Sequence, residues 1–248
     1  MTRPAPGEPS LAGRNYPPTR PTLVAAAASD DPEARARAME TLAAAYWRPV
    51  YATLRLRHGM EPADAEDATQ AFLGDAFANE WFGRYDPALG RFRTFLRTCL
   101  DRHVGHARAA AGRARRGGRS ITVPIDAPGV EAQLAVGADA DVAFEREWAR
   151  GVVAVALERL ERQCAASGHA ARLEAFRRYD LAEAGGSERP TYAAIAAELA
   201  LPVTQITNHL HWARREFRRH VLETLRELTA DDAEFRAEAR ALLGEAAL

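Results

Sequence analysis

The chain of 248 residues carries 33 basic side chains against 34 acids, a formal net charge of −1, and 47% of it is hydrophobic. That supports one large or two modest globular units, and the balanced charge excludes a simple polycation. Cys99 and Cys164 form no disulfide framework, no stretch reaches the roughly 20 apolar residues of a membrane helix, and residues 1–21 hold no signal-peptide core, so a soluble cytoplasmic protein with no membrane contact is expected. All 33 basic residues are arginine, the planar donor suited to phosphates and base edges, although a GC-rich coding sequence would give the same bias.

Residues 1–22 are rich in proline, glycine and polar residues and read as a mobile arm. From Pro32 the pattern turns helical, with Met39, Leu42, Tyr46, Trp47, Val50, Tyr51 and Leu54 at helical spacing, and Pro49 predicts a kink or a break. His58-Gly59-Met60 closes that segment, and Pro62 suits the first position of a helix to about Trp81. This helix stacks Asp64, Glu66, Asp67, Gln70 and Asp75 around Ala68, Phe72 and Phe77. Paired carboxylates can serve acid–base chemistry or magnesium, but there is no P-loop, nucleophile elbow or HExxH, and without lysine no Schiff base. No enzyme is expected, and an acidic face suits a protein partner better than DNA.

"RYDPALG" reads as a turn, and the next helix runs from about Arg91 to Ala111. Phe92, Phe95, Leu96, Cys99 and His103 form its inward stripe, with Arg93, Arg97 and Arg108 along one flank. Arg91, Arg102, Arg113, Arg115, Arg116 and Arg119 add to a basic run interrupted only by Asp101, the footprint expected for a phosphate backbone. Cys99, His103 and His106 have helical spacing for a metal, yet they lie on or beside the apolar stripe and lack a fourth ligand. Core packing is the preferred reading, and neither metal nor other cofactor is expected.

Repeated Gly and Pro mark residues 116–140 as a linker, with "SITVPI" the only strand-like run. Helical pattern returns at Asp141, with Phe144, Trp148, Val152 and Val155 on one stripe, and again from Ala170 to Leu181. After the loop "EAGGSERP" comes "RPTYAAIAAELALPVTQITNHLHWARREFRRH". Its first helix carries Ile195, Ala196 and Leu199 inward, Leu201 follows in the turn, and Pro202 starts the second helix. There Ile206, Leu210, Ala213 and Phe217 share one sector, while Thr204, Thr207, Asn208, His211, Arg215 and Arg218 lie opposite. Two helices and a tight turn fit a helix-turn-helix, in which Asn can pair with adenine, Thr can touch a thymine methyl and Arg can reach phosphate or guanine. A helical hairpin with a merely solvated face is the competing reading; it should carry glutamate there, and only Glu216 lies in the helix body, off to one flank.

The chain thus reads as all-α, with two helical domains joined by a flexible linker and a helix-turn-helix in the second. The expected organisation is an arm over 1–22, a first domain over 23–115, a linker over 116–140, a second domain over 141–230 and an acidic helical tail over 231–248.

The segments "YPPTRPTLV", "AYWRPVYATLR", "DAEDATQAFL", "GRFRTFLRTCL", "RRGGR", "FEREWA" and "TYAAIAAELALPVTQITNHLHWARREFRRHVLETL", in this order, resemble a bacterial RNA polymerase sigma factor of the extracytoplasmic-function type, in a subgroup common in planctomycetes. The resemblance runs from about Tyr16 to Leu243. It implies a promoter-specificity factor that binds the polymerase core, reads −10 and −35 elements and promotes initiation, with an anti-sigma factor as a further partner. By that resemblance Asp64, Glu66, Asp67, Gln70 and Leu73 would dock on the clamp helices of the largest core subunit. Arg91, Arg93, Arg97, Arg108, Arg113, Arg115, Arg116 and Arg119 would meet the −10 element, and Thr204, Gln205, Thr207, Asn208, His211, Arg214, Arg215 and Arg218 the −35 element. The alternative is a free-standing helix-turn-helix regulator that does not bind polymerase. Four positions depart from the family pattern: Ala200 stands where the turn usually has glycine, Trp212 where arginine is common, Thr204 where a small residue is usual, and Glu61 in place of a Ser cap.

Overall fold

In the computed structural model residues 23–110, 126–134, 138–182 and 189–244 are described. The chain is mostly helical, with ten α-helices and no strand among the described residues. No described helix is long and apolar enough to cross a membrane. The expected arm, the "SITVPI" run, and Arg113, Arg115, Arg116 and Arg119 lie outside the described residues.

A short α1 (Leu23–Ala27) leads into the long α2 (Pro32–Leu56), whose N-cap Asp31 accepts from the Glu33 N–H at 3.0 Å. Pro49 does not break α2. It sits on the buried flank with Val50 and Tyr51, and tertiary packing outweighs the lost backbone bond. α3 (Pro62–Ala78) has Pro62 at its start, and its N-cap Glu61 makes no side-chain capping bond, as its length and chemistry anticipate. The helix ends three residues earlier than its pattern suggests, and 3₁₀ turns over Trp81–Arg84 and Pro87–Leu89 carry the chain to α4 (Phe92–Ala110).

The expected linker holds a docked helix, α5 (Ala127–Glu131). Ala127 and Val130 are buried, the Tyr51 hydroxyl donates to Glu131 at 2.8 Å, and Arg55 pairs with the same carboxylate. Asp126 caps α5 by accepting from the Gly129 N–H at 3.1 Å. Then follow α6 (Ala140–Ser167), α7 (Ala170–Phe176) with a π-helical turn over Arg177–Leu181, α8 (Tyr192–Glu198), α9 (Val203–Leu228) and α10 (Asp232–Leu243).

The buried side chains do not part at residues 116–140. One large core joins α1 to α4 with the first half of α6 (Phe144 to Ala156), the end of α9 (Val221 to Leu228) and α10 (Phe235, Ala239). Two smaller clusters, Leu160, Cys164, Phe176 and Ala213, and Ala175, Ile195, Ala196, Ile206 and Leu210, hold α7, α8 and the start of α9 to the end of α6. At 28 and 26 residues, α6 and α9 are long enough, roughly 40 Å each at 1.5 Å per residue, to run from one core into the next.

α2 and α6 approach closely at a point where two sequence features meet. Pro49 has no N–H, so the Ala45 carbonyl lacks its helical donor four residues on. Gly151 of α6 lies against that carbonyl: a Cβ there would come within 2.4 Å of Ala45 O. Beside it the Glu147 carboxylate is fully buried and takes Arg48 Nε of α2 at 3.1 Å.

Candidate nucleic-acid interface

Thr191 caps α8 by accepting from the Ala194 N–H at 3.1 Å, and Ile195 and Ala196 face inward. The helix closes with the Leu201 N–H on Ala196 O at 3.0 Å and the Ala200 N–H on Ala197 O at 3.3 Å, the bond pair of a Schellman motif. Such a turn needs a left-handed residue, and Ala200 takes it, with φ +52°. Ala200, standing where the resembled family usually has glycine, is thus held in a backbone region that L side chains disfavour. Ala200→Gly should therefore raise stability by about 1 kcal/mol, the left-handed penalty less some unfolded-chain entropy. Urea unfolding reads this, and a stability at or below wild type would argue against the strain.

Pro202 precedes α9, whose Ile206, Leu210 and Ala213 are buried. Phe217 is half-buried and stacks 5.4 Å from Phe176. On the other side Thr204, Gln205, Thr207, Asn208, His211, Arg214 and Arg215 are all exposed, and Arg218 is half-buried. No acid falls on α9 before Glu216, so its first half presents hydroxyls, amides, an imidazole and guanidinium groups without local repulsion of phosphate. Arg214 is already committed, since its Nη2 lies 2.9 Å from Asp180, and Arg215 reaches Glu216 at 3.3 Å. Trp212 turns away from this face. It packs edge-on to His169 at 5.0 Å, with the Arg172 guanidinium 4.6 Å over its ring.

The basic helix α4 is less open than its sequence suggests. Arg93, expected on a solvent flank, is 6% exposed, and its guanidinium lies 4.1 Å over the Trp148 ring. Burial works against the Arg93 charge, but hydrogen bonding to Glu238 and the nearby Glu145 outweigh it and hold the guanidinium above its usual value. Arg97 is half-buried and paired with Asp141, Arg91 is exposed, and Arg108 donates to the His58 carbonyl at 2.8 Å.

Beside α4 the structure holds a cavity of about 490 Å³ lined by Trp81, Arg84, Phe95, Cys99, Arg102, His103 and His106. Phe92 is buried as expected, whereas Phe95 is half-buried at this opening. His103 stands edge-on to Phe72 at 5.6 Å and lies 5.8 Å from the Trp81 ring. Burial holds its imidazole below the usual value against the pull of Asp75, 3.8 Å away, and burial raises the Cys99 thiol. Among the described residues no three His, Cys, Asp or Glu side chains group as metal ligands. The site therefore offers an aromatic wall with two arginines at its rim, which suits a flat ring beside an anionic group. Trp81 and Arg84 were not singled out in the sequence; an aromatic next to arginine in the α3–α4 connection was the available signal.

On α3, Asp64 and Asp67 are exposed and Glu66 and Gln70 half-buried. Leu73 is not on this surface: at 1% exposure it belongs to the core, because it follows Phe72 into the inward sector. Comparison of the chain with family models, curated proteins and solved structures gave no match.

Proposed function

We propose that the chain is a promoter-specificity factor of bacterial RNA polymerase, of the sigma type: it binds the core enzyme, recognises two promoter elements and promotes initiation, with no catalysis of its own. The observation that carries the reading is the acid-free, exposed polar face over the first half of α9, backed by a buried Ile206, Leu210 and Ala213 stripe and preceded by α8 and a Schellman turn. That is the arrangement a helix-turn-helix needs to lay its second helix in a major groove. The cavity beside α4 supports the second half of the reading, since an unstacked base can lie against Trp81 and Phe95 while Arg84 and Arg102 meet its phosphates. Exposed Asp64 and Asp67 on α3 suit docking on a basic protein surface.

A free-standing duplex-binding regulator is the second reading. It is favoured by one observation: Arg93 is buried and Arg97 half-buried against carboxylates, whereas the polar face of α9 stays exposed even where Arg214 and Arg215 carry ion pairs. Mixing the purified chain with RNA polymerase core and running gel filtration separates the two, followed by run-off transcription from the DNA upstream of its own gene. Co-elution with a defined transcript supports the specificity factor; absence of co-elution at moderate salt removes it. Within either reading, Asn208→Ala should cost about 1–3 kcal/mol of duplex affinity and relax preference at one base pair. Unchanged affinity and preference in a binding-site selection would place the reading face elsewhere.

A further inference from the structure

Arg93 and Arg97 of α4, and Arg91 just before it, end on carboxylates from distant parts of the chain. Arg93 Nη2 lies 2.8 Å from Glu238 of α10 and 3.2 Å from Glu145 of α6. Arg91 reaches the same Glu238 oxygen at 3.0 Å. Arg97 pairs with Asp141 in the first turn of α6, which also takes Arg57 at 3.6 Å. Glu238 is itself 6% exposed, so the acid and Arg93 close over each other, with Arg91 exposed beside them.

We infer that α10, with the first turns of α6, is an intramolecular cover for the basic face of α4. Its carboxylates stand where the oxygens of a nucleic-acid phosphate would, and this conformer is the closed one. The inference rests on reading α4 as a nucleic-acid surface. Its physical basis is exchange. A buried ion pair nearly breaks even against the desolvation of its two charges, so replacing a carboxylate by a phosphate on the same guanidinium changes little in net energy. The pairing selects between occupants more than it stabilises the fold.

α10 is built to leave as a unit. It carries its own cap, with Asp231 accepting from the Ala233 and Glu234 N–H groups, both at 2.8 Å, and it joins α9 through Thr229 to Asp231. Its apolar anchorage is small: Phe235 and Ala239 are buried, Leu242 and Leu243 only partly, and Arg226 of α9 stacks 3.9 Å over Phe235. A short helix held by few buried side chains belongs to the low-stability end of a structure and can open while the rest stays folded.

The test is fluorescence anisotropy of a labelled single-stranded DNA of mixed sequence, titrated with the full-length wild type and with Glu238→Gln. The isosteric change keeps the packing of α10 and removes the charge. Apparent affinity scales with the fraction of open molecules, so Glu238→Gln should bind about tenfold tighter if the closed form dominates. Its salt dependence should steepen by about 0.7 for each further phosphate that an uncovered arginine neutralises. A chain lacking residues 231–248 should bind at least as tightly as Glu238→Gln, and if circular dichroism shows that it unfolds, Glu145→Gln combined with Glu238→Gln takes its place. Adding Arg93→Gln should erase the improvement. Equal binding by wild type and variants overturns the cover and leaves the reading of α4 intact. No binding by any of them at low salt overturns that reading, and the cover with it.

Discussion

Gly151→Ala should lower stability by about 3 kcal/mol, at the upper end of overpacking costs, which for a chain of this length lowers Tm by roughly 6–12 °C. The added methyl would sit 2.4 Å from the Ala45 carbonyl oxygen and 3.0 Å from its carbon. Those atoms are backbone in the middle of α2, so no rotamer change relieves the clash, and α6 must lift from α2 along its length. Gly105→Ala in α4 is the matched control. A Cβ there meets nothing within 4 Å, so the helix-propensity benefit of about 0.5–1 kcal/mol is left unopposed. Differential scanning calorimetry of the two variants beside wild type reads both effects. If Gly151→Ala melted with wild type, α2 and α6 would not be docked as described, and the two helical blocks would behave as independent units.

What the sequence made legible was local. Pro62 opening α3, Asp86-Pro87 and Gly90 making the turn before α4, the Ile206, Leu210 and Ala213 stripe and the strained Ala200 all follow from chemistry within a few residues of each site. The continuity of α2 through Pro49 was not legible, because what offsets the lost bond is α6, about a hundred residues on in the chain. The same limit explains Arg93. A helical wheel puts it on a flank, correctly, but cannot say that the flank is covered by Glu238, 145 residues away. Leu73 failed for a simpler reason. The apolar sector of α3 is wider than the stripe drawn from Ala68, Phe72 and Phe77, since Ala65, Thr69 and Ala76 are buried too and the adjacent position turns inward with them. The α5 segment reads as linker from its Pro and Gly, and only the partners of Val130 and Glu131 on α2 and α3 make it a docked helix.

These long-range interactions bear on function because they decide which charged groups are free. On α9 the polar face is exposed, although its Arg214 and Arg215 also pair with Asp180 and Glu216. On α4 the arginines beside α6 and α10 are spoken for, and the cavity edge, with Arg84 and Arg102, lies outside that cover. A surface that must be uncovered before it binds will show weak affinity in isolation even if every residue assignment is right. If α4 and α9 meet nucleic acid as proposed, binding measured on the isolated wild-type chain should under-report α4 relative to α9.

Glu147→Ala should cost about 3 kcal/mol, the lower end of what breaking a buried ion pair costs. The carboxylate is 0% exposed and holds Arg48 at 3.1 Å from α2, with Arg150 and Arg146 from its own helix on the other oxygen. Removing it leaves the Arg48 guanidinium, whose side chain is only 15% exposed, without its carboxylate and beside Gln133 Oε1 at 3.4 Å, whereas Arg146 and Arg150 can turn to water. The asymmetry gives a second arm. Replacing both partners by apolar residues, Arg48→Met with Glu147→Leu, should recover most of the loss, since it removes the desolvation cost along with the attraction. Urea unfolding of the single and double variants tests this, and a Glu147→Ala stability within about 0.5 kcal/mol of wild type would mean that the pair is solvated. Glu147 and Gly151 lie one turn apart on the same face of α6, opposite Arg48 and Ala45 one turn apart on α2. Their effects should not add: once Gly151→Ala has lifted α6 away, little of the Glu147 pairing remains to be broken, and the combined variant should lose clearly less than the sum of the two.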